Sequence, residues 1–487
     1  MRVDTGDSGS GGGSASQKPL FAKHHNIYPQ AISGTFRNIK WALMVVTLGI
    51  YYFLPFLRWD RGPNAPDQAV LIDFPSRRFY FFFIEIWPQE VYYLTGLLIV
   101  AAMTLFLMNA VAGRIWCGYL CWQTVWTDLF YAVENWVEGS RRDRLVKEKQ
   151  GWTFKRIREK ATKHFIWLLI AWWTGGAWVL YFSDAPTLVK DLATFQAPFV
   201  AYLWIGILTF TTYIFAGFGR EQVCIYMCPW PRIQASLTDE WALNIEYRTD
   251  RGEPRASLKR GKELAAKGDT VGDCIDCGQC IAVCPTGTDI RNGIQLSCIQ
   301  CGLCIDACDA VMTKIGKPTG LIAYDTDINI GRRREGKHEI YKFVRPRTLI
   351  YVAIISAVLG FMAFTLTTRS MSGMNVLHDR NPLYVQLSDG GLRNGYTIRV
   401  LNKNTEPAEF ALSVAGIDGL RIEAVGVENA ADGNPVIAVD RDTTREVRVL
   451  VFSPPKLKLD KSTPITFTLV AKDSGETSSV SDYFKAP

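Results

Sequence analysis

At 487 residues the chain is long enough for two or three domains. Its composition, 48% hydrophobic with 15 Trp, argues against an ordinary soluble protein and for membrane spans. The net charge of +7 is uneven: from Thr368 onward 14 Lys/Arg face 15 Asp/Glu, so the remainder holds +8. Such a split suggests two parts on opposite sides of a membrane, and positive-inside topology explains the basic segments without a nucleic-acid partner.

In chain order, residues 1–36 read as a disordered tail. The first sixteen are Gly/Ser-rich and acidic, and no cleavable signal peptide is expected. His24 and His25 there read as a solvated pair. Residues 37–245 read as a transmembrane domain with four spans and surface helices. The spans run from Trp41 to Leu57, Val91 to Ala112, Phe165 to Phe182 and Pro198 to Gly217. The run RRFYFFFIEIW, from Arg77 to Trp87, is too short to span and contains Glu85, so an interfacial or re-entrant segment is expected.

The second span ends in Cys117-x3-Cys121 and the fourth in Cys224-x3-Cys228, a weak internal repeat in which Tyr119 aligns with Tyr226. Amphipathic stretches after each pair predict helices on the membrane surface. If each pair lies on a helix, residues i and i+4 present two sulfurs on one face. Four such thiols can bind a soft metal such as Cu(I), cycle between dithiol and disulfide, or stay inert.

Residues 246–345 hold the strongest motif. Cys274-x2-Cys277-x2-Cys280-x3-Cys284-Pro285 is followed by Cys298-x2-Cys301-x2-Cys304-x3-Cys308. This is the spacing of a two-cluster ferredoxin, in which the fourth Cys crosses to the other cube. It predicts two [4Fe–4S] clusters, one on Cys274, Cys277, Cys280 and Cys308 and the other on Cys298, Cys301, Cys304 and Cys284. A zinc site needs only four ligands and usually takes separated CxxC pairs. Asp309 stands where the second run would have Pro, which suggests a looser turn.

A basic exit, GRRREGKHEIYKFVRPR, precedes a fifth span from Leu349 to Thr367, within residues 346–370. His164 and His338 flank spans and read as interfacial. Met371, Met374 and His378 follow the last span; Met and His are soft copper ligands, but a linker position favours an incidental role. Residues 378–487 alternate polar and apolar in runs such as GYTIRVLN, REVRVLVF and PITFTLVA, the rhythm of an all-β, immunoglobulin-like sandwich of seven or eight strands.

Lys/Arg placement sets the expected orientation. The Arg114–Lys163 loop holds eleven, the Ser183–Ala197 loop only Lys190, and the Arg58–Gln89 loop four. The clusters are therefore expected in the cytoplasm and the sandwich in the periplasm of a multi-pass inner-membrane protein. The absence of Cys from the last 179 residues agrees. No P-loop, dinucleotide-binding glycine motif or nucleophile elbow is present.

Taken together, the two Cys pairs, the double ferredoxin run, the R-G-E-P-R segment (Arg251 to Arg255) and the D-R-N-P-L stretch (Asp379 to Leu383) resemble the CcoG/FixG/RdxA family. These are membrane polyferredoxins that accompany assembly of cbb-type cytochrome c oxidase. The resemblance implies reduction of Cu(II) to Cu(I), with copper, a copper-exporting ATPase, oxidase assembly factors and a cytoplasmic electron donor as partners. It makes Cys117, Cys121, Cys224 and Cys228 the expected copper site and catalytic residues. Trp122 replaces the Pro of the CxxxCP form found in related quinol-dehydrogenase subunits, leaving the first pair's helix end less defined. Two other readings stand beside it: a quinol-linked electron relay, and a non-enzymatic assembly scaffold.

Overall fold

The structure, a computed structural model, describes residues 26–62, 65–404, 406–429, 433–441, 443–455, 457 and 459–487. Most of the expected N-terminal tail, with His24 and His25, lies outside the described residues. Two compact units divide the chain. One comprises Met1–Val45, Met108–Ile170 and Thr211–Phe343, the other Val46–Leu107, Ala171–Phe210 and Val344–Pro487.

Helix α1 (Thr35–Phe53) leads to an antiparallel sheet of β1 (Val70–Asp73), β2 (Arg78–Phe81) and β3 (Ile84–Ile86). Helix α2 (Tyr92–Ala112) runs into the short α3 (Ile115–Tyr119), then α4 (Trp122–Glu138) and α5 (Arg141–Lys149). The long α6 (Phe154–Val179), the short α7 (Ala185–Ala193) and α8 (Phe199–Ile214) follow. Beyond α8 the helix widens into π-type turns at Phe215–Gly219 and Val223–Met227 before α9 (Trp230–Leu237). Strand β4 (Asn244–Tyr247), α10 (Leu258–Ala266), α11 (Leu303–Lys314) and β5 (Ile322–Asp325) frame the cysteine runs, and α12 (Pro346–Thr367) leads to the C-terminal sandwich.

Among the described residues four helices are long and apolar enough to cross a membrane: Thr35–Phe56, Tyr92–Ala112, Phe199–Met227 and Pro346–Thr367, with mean hydropathy from 1.6 to 2.4. Their apolar side chains face outward. On α12 Leu349, Ile350, Phe361 and Phe364 are all exposed, which water would penalise and lipid would not. The remaining expected span lies within α6 but falls short of that standard. Its first half is charged, from Lys155 to Lys163, and its second half carries Trp167, Trp172, Trp173 and Trp178 in place of aliphatics.

The aromatic run from Arg77 to Trp87 is β2, a tight turn and β3. Alternation in Arg-Phe-Tyr-Phe suits a strand. Phe82 turns the chain at φ 52°, and Tyr80 pairs opposite Glu85. Arg78 neutralises Glu85 at 3.0 Å and lies over the Trp87 ring.

In the first unit a buried ion network ties α4, α5 and α6 together. Glu134 meets Arg220 at 2.8 Å, Arg144 at 3.1 Å and Lys163 at 3.2 Å. Burial alone would raise the Glu134 carboxyl, but Arg220 and Lys163 hold it below the usual range.

The sandwich packs sheet β10-β12-β8-β6, with the short β7 on β8, against sheet β11-β9-β13-β14. Here β6 is Ser372–His378, β7 Val385–Gln386, β8 Leu392–Asn402, β9 Ala408–Ala415, β10 Arg421–Ala424, β11 Val436–Val439, β12 Thr443–Phe452, β13 Ser462–Ala471 and β14 Thr477–Lys485. Alternate residues point inward, so Ile398, Val400, Phe410, Val449, Val451 and Phe467 make a fully buried core. The expected linker after the last span is in fact strand β6, and the sandwich starts at Ser372 rather than at 378. Met374 is buried in this core, and both ring nitrogens of His378 are taken, by the Asp379 carbonyl at 2.7 Å and the Asn394 side chain at 2.9 Å. Met374 and His378 are therefore engaged within the sandwich.

Strand β4 carries an acid that should govern pH stability. Burial first, then Asp327 and Asp325, push the Glu246 carboxyl up to about 9. The unfolded carboxyl titrates near its ordinary 4.5. Between those limits the folded state holds the extra proton. Its stabilising contribution is complete below about pH 4.5 and is lost as pH rises through about 9. Glu246→Gln, neutral throughout, should flatten this part of a Tm-versus-pH profile; an unchanged slope would contradict the buried neutral acid.

Candidate redox site

The two ferredoxin runs fold alike. In the first, Asp276 (φ 52°) and Gly278 (φ 67°) take left-handed conformations; in the second, Gln300 (φ 55°) and Gly302 (φ 78°) do so at the same two positions. Each loop thus curls around its own centre and feeds a helix starting at Gln279 or Leu303. Glycine makes the second of these turns free of strain. The shared Cys-Ile-x-Cys-Gly-x-Cys pattern was the sequence signal for that geometry.

The fourth Cys of each run lies with the other run. Cys308 has Cys280, Cys274 and Cys277 as electrostatic neighbours, whereas Cys298, Cys301 and Cys304 have Cys284. Cys284, Cys298, Cys301 and Cys304 line one cavity, with Cys280 at its edge and Thr286 and Thr288 beside it. The Thr288 N–H donates to the Cys284 sulfur at 3.3 Å.

The donor chemistry fits iron–sulfur cubes. Burial pushes the Cys280 thiol up to about 11 and the Cys298 and Cys308 thiols up to about 12. Thiolates so placed are costly unless cations compensate them. Among the described residues no three His, Cys, Asp or Glu groups converge on one metal ion. A cube is several ångströms across and bonds each sulfur to a different iron, so its ligands surround a space rather than a point.

Cys117, Cys121, Cys224 and Cys228 come together. Cys117 is an electrostatic neighbour of Cys121 and Cys228, and Cys224 of all three others. They do not sit on continuous helices, as the i, i+4 reading required. Cys121 is extended (ψ 129°) between α3 and α4, and Cys228 is extended (ψ 123°) after a π turn. Pro229 explains the second break, because it disfavours helix at the residue before it. The first break occurs in the same place with Trp122 there, so the missing Pro does not alter the bend. Burial pushes the Cys117 thiol up to about 11, partly offset by Arg114, and that thiol donates to the Gln234 side-chain oxygen at 3.4 Å.

The segment that carries Cys117 rests directly on the second ferredoxin loop. A Cβ on Gly118 would come within 3.0 Å of the Ile299 and Gln300 carbonyls and the Cys301 Cα, so only glycine allows the contact. Tyr119 donates to the Cys301 carbonyl at 3.1 Å. The buried Arg114 guanidinium donates to the Cys298 carbonyl at 2.9 Å, and the Arg114 amide to the Gln300 side chain at 2.7 Å. Cys117, Ile299, Cys301, Leu303 and Val283 share one apolar cluster. Sequence reasoning passed over Arg114, Gly118, Gln234 and Gln300 because they serve contacts far apart in the chain. Tyr119 was visible only through the repeat, and its counterpart Tyr226 is exposed.

Three family models match. A "4Fe-4S dicluster domain" covers residues 219–327, a "4Fe-4S binding domain" residues 94–142, and a model of the "IG-like fold at C-terminal of FixG" residues 362–487. Protein RdxB of Cereibacter sphaeroides is 51% identical over 439 residues, 89% of this chain and 90% of that one. Nitrogen fixation protein FixG of Rhizobium meliloti is 47% identical over 90% of this chain and 88% of its own length. Protein RdxA of C. sphaeroides is 48% identical over 90% of this chain and 91% of its own. The chain belongs to the CcoG/FixG/RdxA family. As a member it is an iron–sulfur oxidoreductase and a membrane protein, with [4Fe–4S] clusters and a C-terminal immunoglobulin-like domain.

Two variants probe this geometry. Gly118→Val should force the Cys298–Cys301 loop away, lowering visible cluster absorption without touching any cysteine; wild-type absorption and cluster redox behaviour would refute the close contact. Cys308→Ser should damage the cube of Cys274, Cys277 and Cys280 more than that of its own run. Electron paramagnetic resonance showing loss of only the second run's cube would refute the crossing.

Proposed function

We propose that the protein is an inner-membrane cupric reductase, taking single electrons from a cytoplasmic donor and reducing Cu(II) to Cu(I) at Cys117, Cys121, Cys224 and Cys228. The observation that carries this reading is that the four thiols are neighbours of one another and that the segment carrying Cys117 lies against the Cys298–Cys301 loop. Cys274, Cys277, Cys280 and Cys308 hold one [4Fe–4S] cluster, and Cys284, Cys298, Cys301 and Cys304 the other. Bound there, the clusters supply one-electron transfer.

The chain's own residues do the rest. Gly118 and Tyr119 bring the Cys117 segment into contact with a cluster loop, and electron tunnelling falls steeply with distance. One electron reduces one Cu(II), and each thiol that binds copper gives up its proton. Arg114 favours the charged form of Cys117. Thiolates prefer Cu(I), so ligand softness helps drive the reduction. The Cu(I) goes on to a copper-exporting ATPase and to factors that assemble cbb-type oxidase. The clusters face the cytoplasm and the sandwich the periplasm, with α6 as a fifth span; the Lys/Arg-rich Arg114–Lys163 loop supports that orientation.

A second reading has its own support: the quartet could hold a further iron–sulfur cube, because a 4Fe-4S binding model matches the segment carrying Cys117 and Cys121. Anaerobic metal analysis of wild type and of a variant with all four changed to Ala separates the two. The copper reading predicts about eight irons per chain in both, four per cube. It also predicts loss of Cu(II) reduction and of tight copper binding, with stability lower by about 1 kcal/mol for each cysteine changed. Iron falling from about twelve to about eight would establish the further cube. Cu(II) reduction at the wild-type rate in the variant would move the site elsewhere.

A further inference from the structure

Helix α1 belongs to an apolar segment, Thr35–Phe56, whose charged residues are Arg37 and Lys40. Cations near the end of a span usually reach out into the open. Lys40 does not: it is 5% exposed. A lysine is almost never so buried unless its charge is answered.

The start of α1 sits on the second ferredoxin run. Asp306, on α11 between Cys304 and Cys308, accepts from the Phe36 amide at 3.2 Å and from the Arg37 amide at 2.8 Å. A Cβ on Gly302 would strike the Phe36 side chain. One turn later Lys40 lines a cavity together with Pro285, Thr286, Ile299 and Asp128. Pro285 directly follows Cys284 and Ile299 directly follows Cys298, so the lysine lies beside two segments that carry ligands of one cube. Among charged side chains, Lys40 is the one that most favours the charged form of Cys301.

Little else claims this charge. Asp128 lies 3.6 Å from the Lys40 nitrogen, but both of its oxygens accept from Arg37 at 2.8 Å. Two cations thus share one carboxylate, and the trio keeps a net positive charge where water screens little. Arg114 is the other cation at this cube, acting on Cys298. Its donors are spent on the Leu296 and Cys298 carbonyls and on Gln234, so it also holds the loop in place. Among the described residues Lys40 donates to no loop carbonyl, and its charge is separable from the loop's shape. The first cube differs. Cys277 is exposed, and Arg291, beside Cys280, is answered by Asp289 at 2.8 Å and by Asp276.

One electron adds one negative charge to a cluster. Water stabilises that charge near Cys277, whereas the burial that pushes the Cys298 thiol up to about 12 opposes it at the other cube. We propose that the Lys40 ammonium raises the reduction potential of the cluster on Cys284, Cys298, Cys301 and Cys304, offsetting the cost of placing an electron in a dry site. Lys40 acts through its field on the cysteine ligands and is a tuning residue, not a catalytic one. The proposal rests on the assignment of the two clusters and is independent of the metal that the Cys117 quartet takes.

The test is a potentiometric titration of the full-length, iron-loaded protein, followed by electron paramagnetic resonance. Lys40→Met removes the charge and keeps the length, Lys40→Arg keeps the charge, and Asp128→Asn removes the opposing anion. Lys40→Met should lower the reduced-to-oxidised ratio of one cluster about tenfold at fixed ambient potential, 59 mV for a one-electron couple, and leave the other cluster unchanged. Lys40→Arg should match wild type, and Asp128→Asn should shift the same cluster the opposite way. That cluster should be the one whose signal survives Cys308→Ser. Wild-type iron content and visible absorption show that a variant has assembled; where Lys40→Met loses iron, the direction of the Asp128→Asn shift decides. Potentials unchanged in both charge-removing variants would overturn the proposal. A downward shift in both would mean damaged packing and would overturn it too, as would a shift confined to the cluster that Cys308→Ser removes.

Discussion

The site depends on one backbone contact: Gly118 pressed against the Ile299–Cys301 segment. A side chain at this position would separate the Cys117 segment from the ferredoxin loop. Around the contact, hydrogen bonds from Arg114 and Tyr119 are spent on carbonyls of the loop itself, fixing it where its sulfurs must sit. Backbone carbonyls on cluster loops are otherwise satisfied by water or by the loop. Here they are satisfied by the segment that carries the first Cys pair, which ties that segment to the loop.

That tie suits single-electron chemistry. Electron transfer needs short distances and little rearrangement, and both follow from a dry, hydrogen-bonded contact. The same burial makes the thiols reluctant to ionise. Burial pushes the Cys117 thiol up to about 11, so it keeps its proton at neutral pH.

Much of this was legible in the sequence, for physical reasons. The ferredoxin runs are local patterns whose spacing alone defines the loop, and the crossing of Cys284 and Cys308 follows from it. The runs GYTIRVLN, REVRVLVF and PITFTLVA are all strands in the sandwich, because alternation reports the buried face directly. Strand β6 was missed: Met371 to His378 follows a span without a turn signal, and its burial depends on pairing with β8, distant in sequence. The helical i, i+4 reading of the Cys pairs was wrong for a reason that Pro229 already contained, since the residue before proline leaves the helix. The run around Tyr80 was judged by its hydrophobicity rather than by its period of two. The meeting of the two Cys pairs could not be read at all, because it depends on how α3 and the end of the Phe199–Met227 helix pack.

The central claim is that electrons leave the clusters for copper at the thiol quartet. The most direct measurement is a single turnover: protein reduced anaerobically, freed of reductant, mixed with one equivalent of Cu(II) and freeze-quenched for electron paramagnetic resonance. The account predicts that the cupric signal and the reduced-cluster signal disappear together, at one rate and one for one. Clusters that stay reduced while the cupric signal persists, or that decay at an unrelated rate, would contradict it.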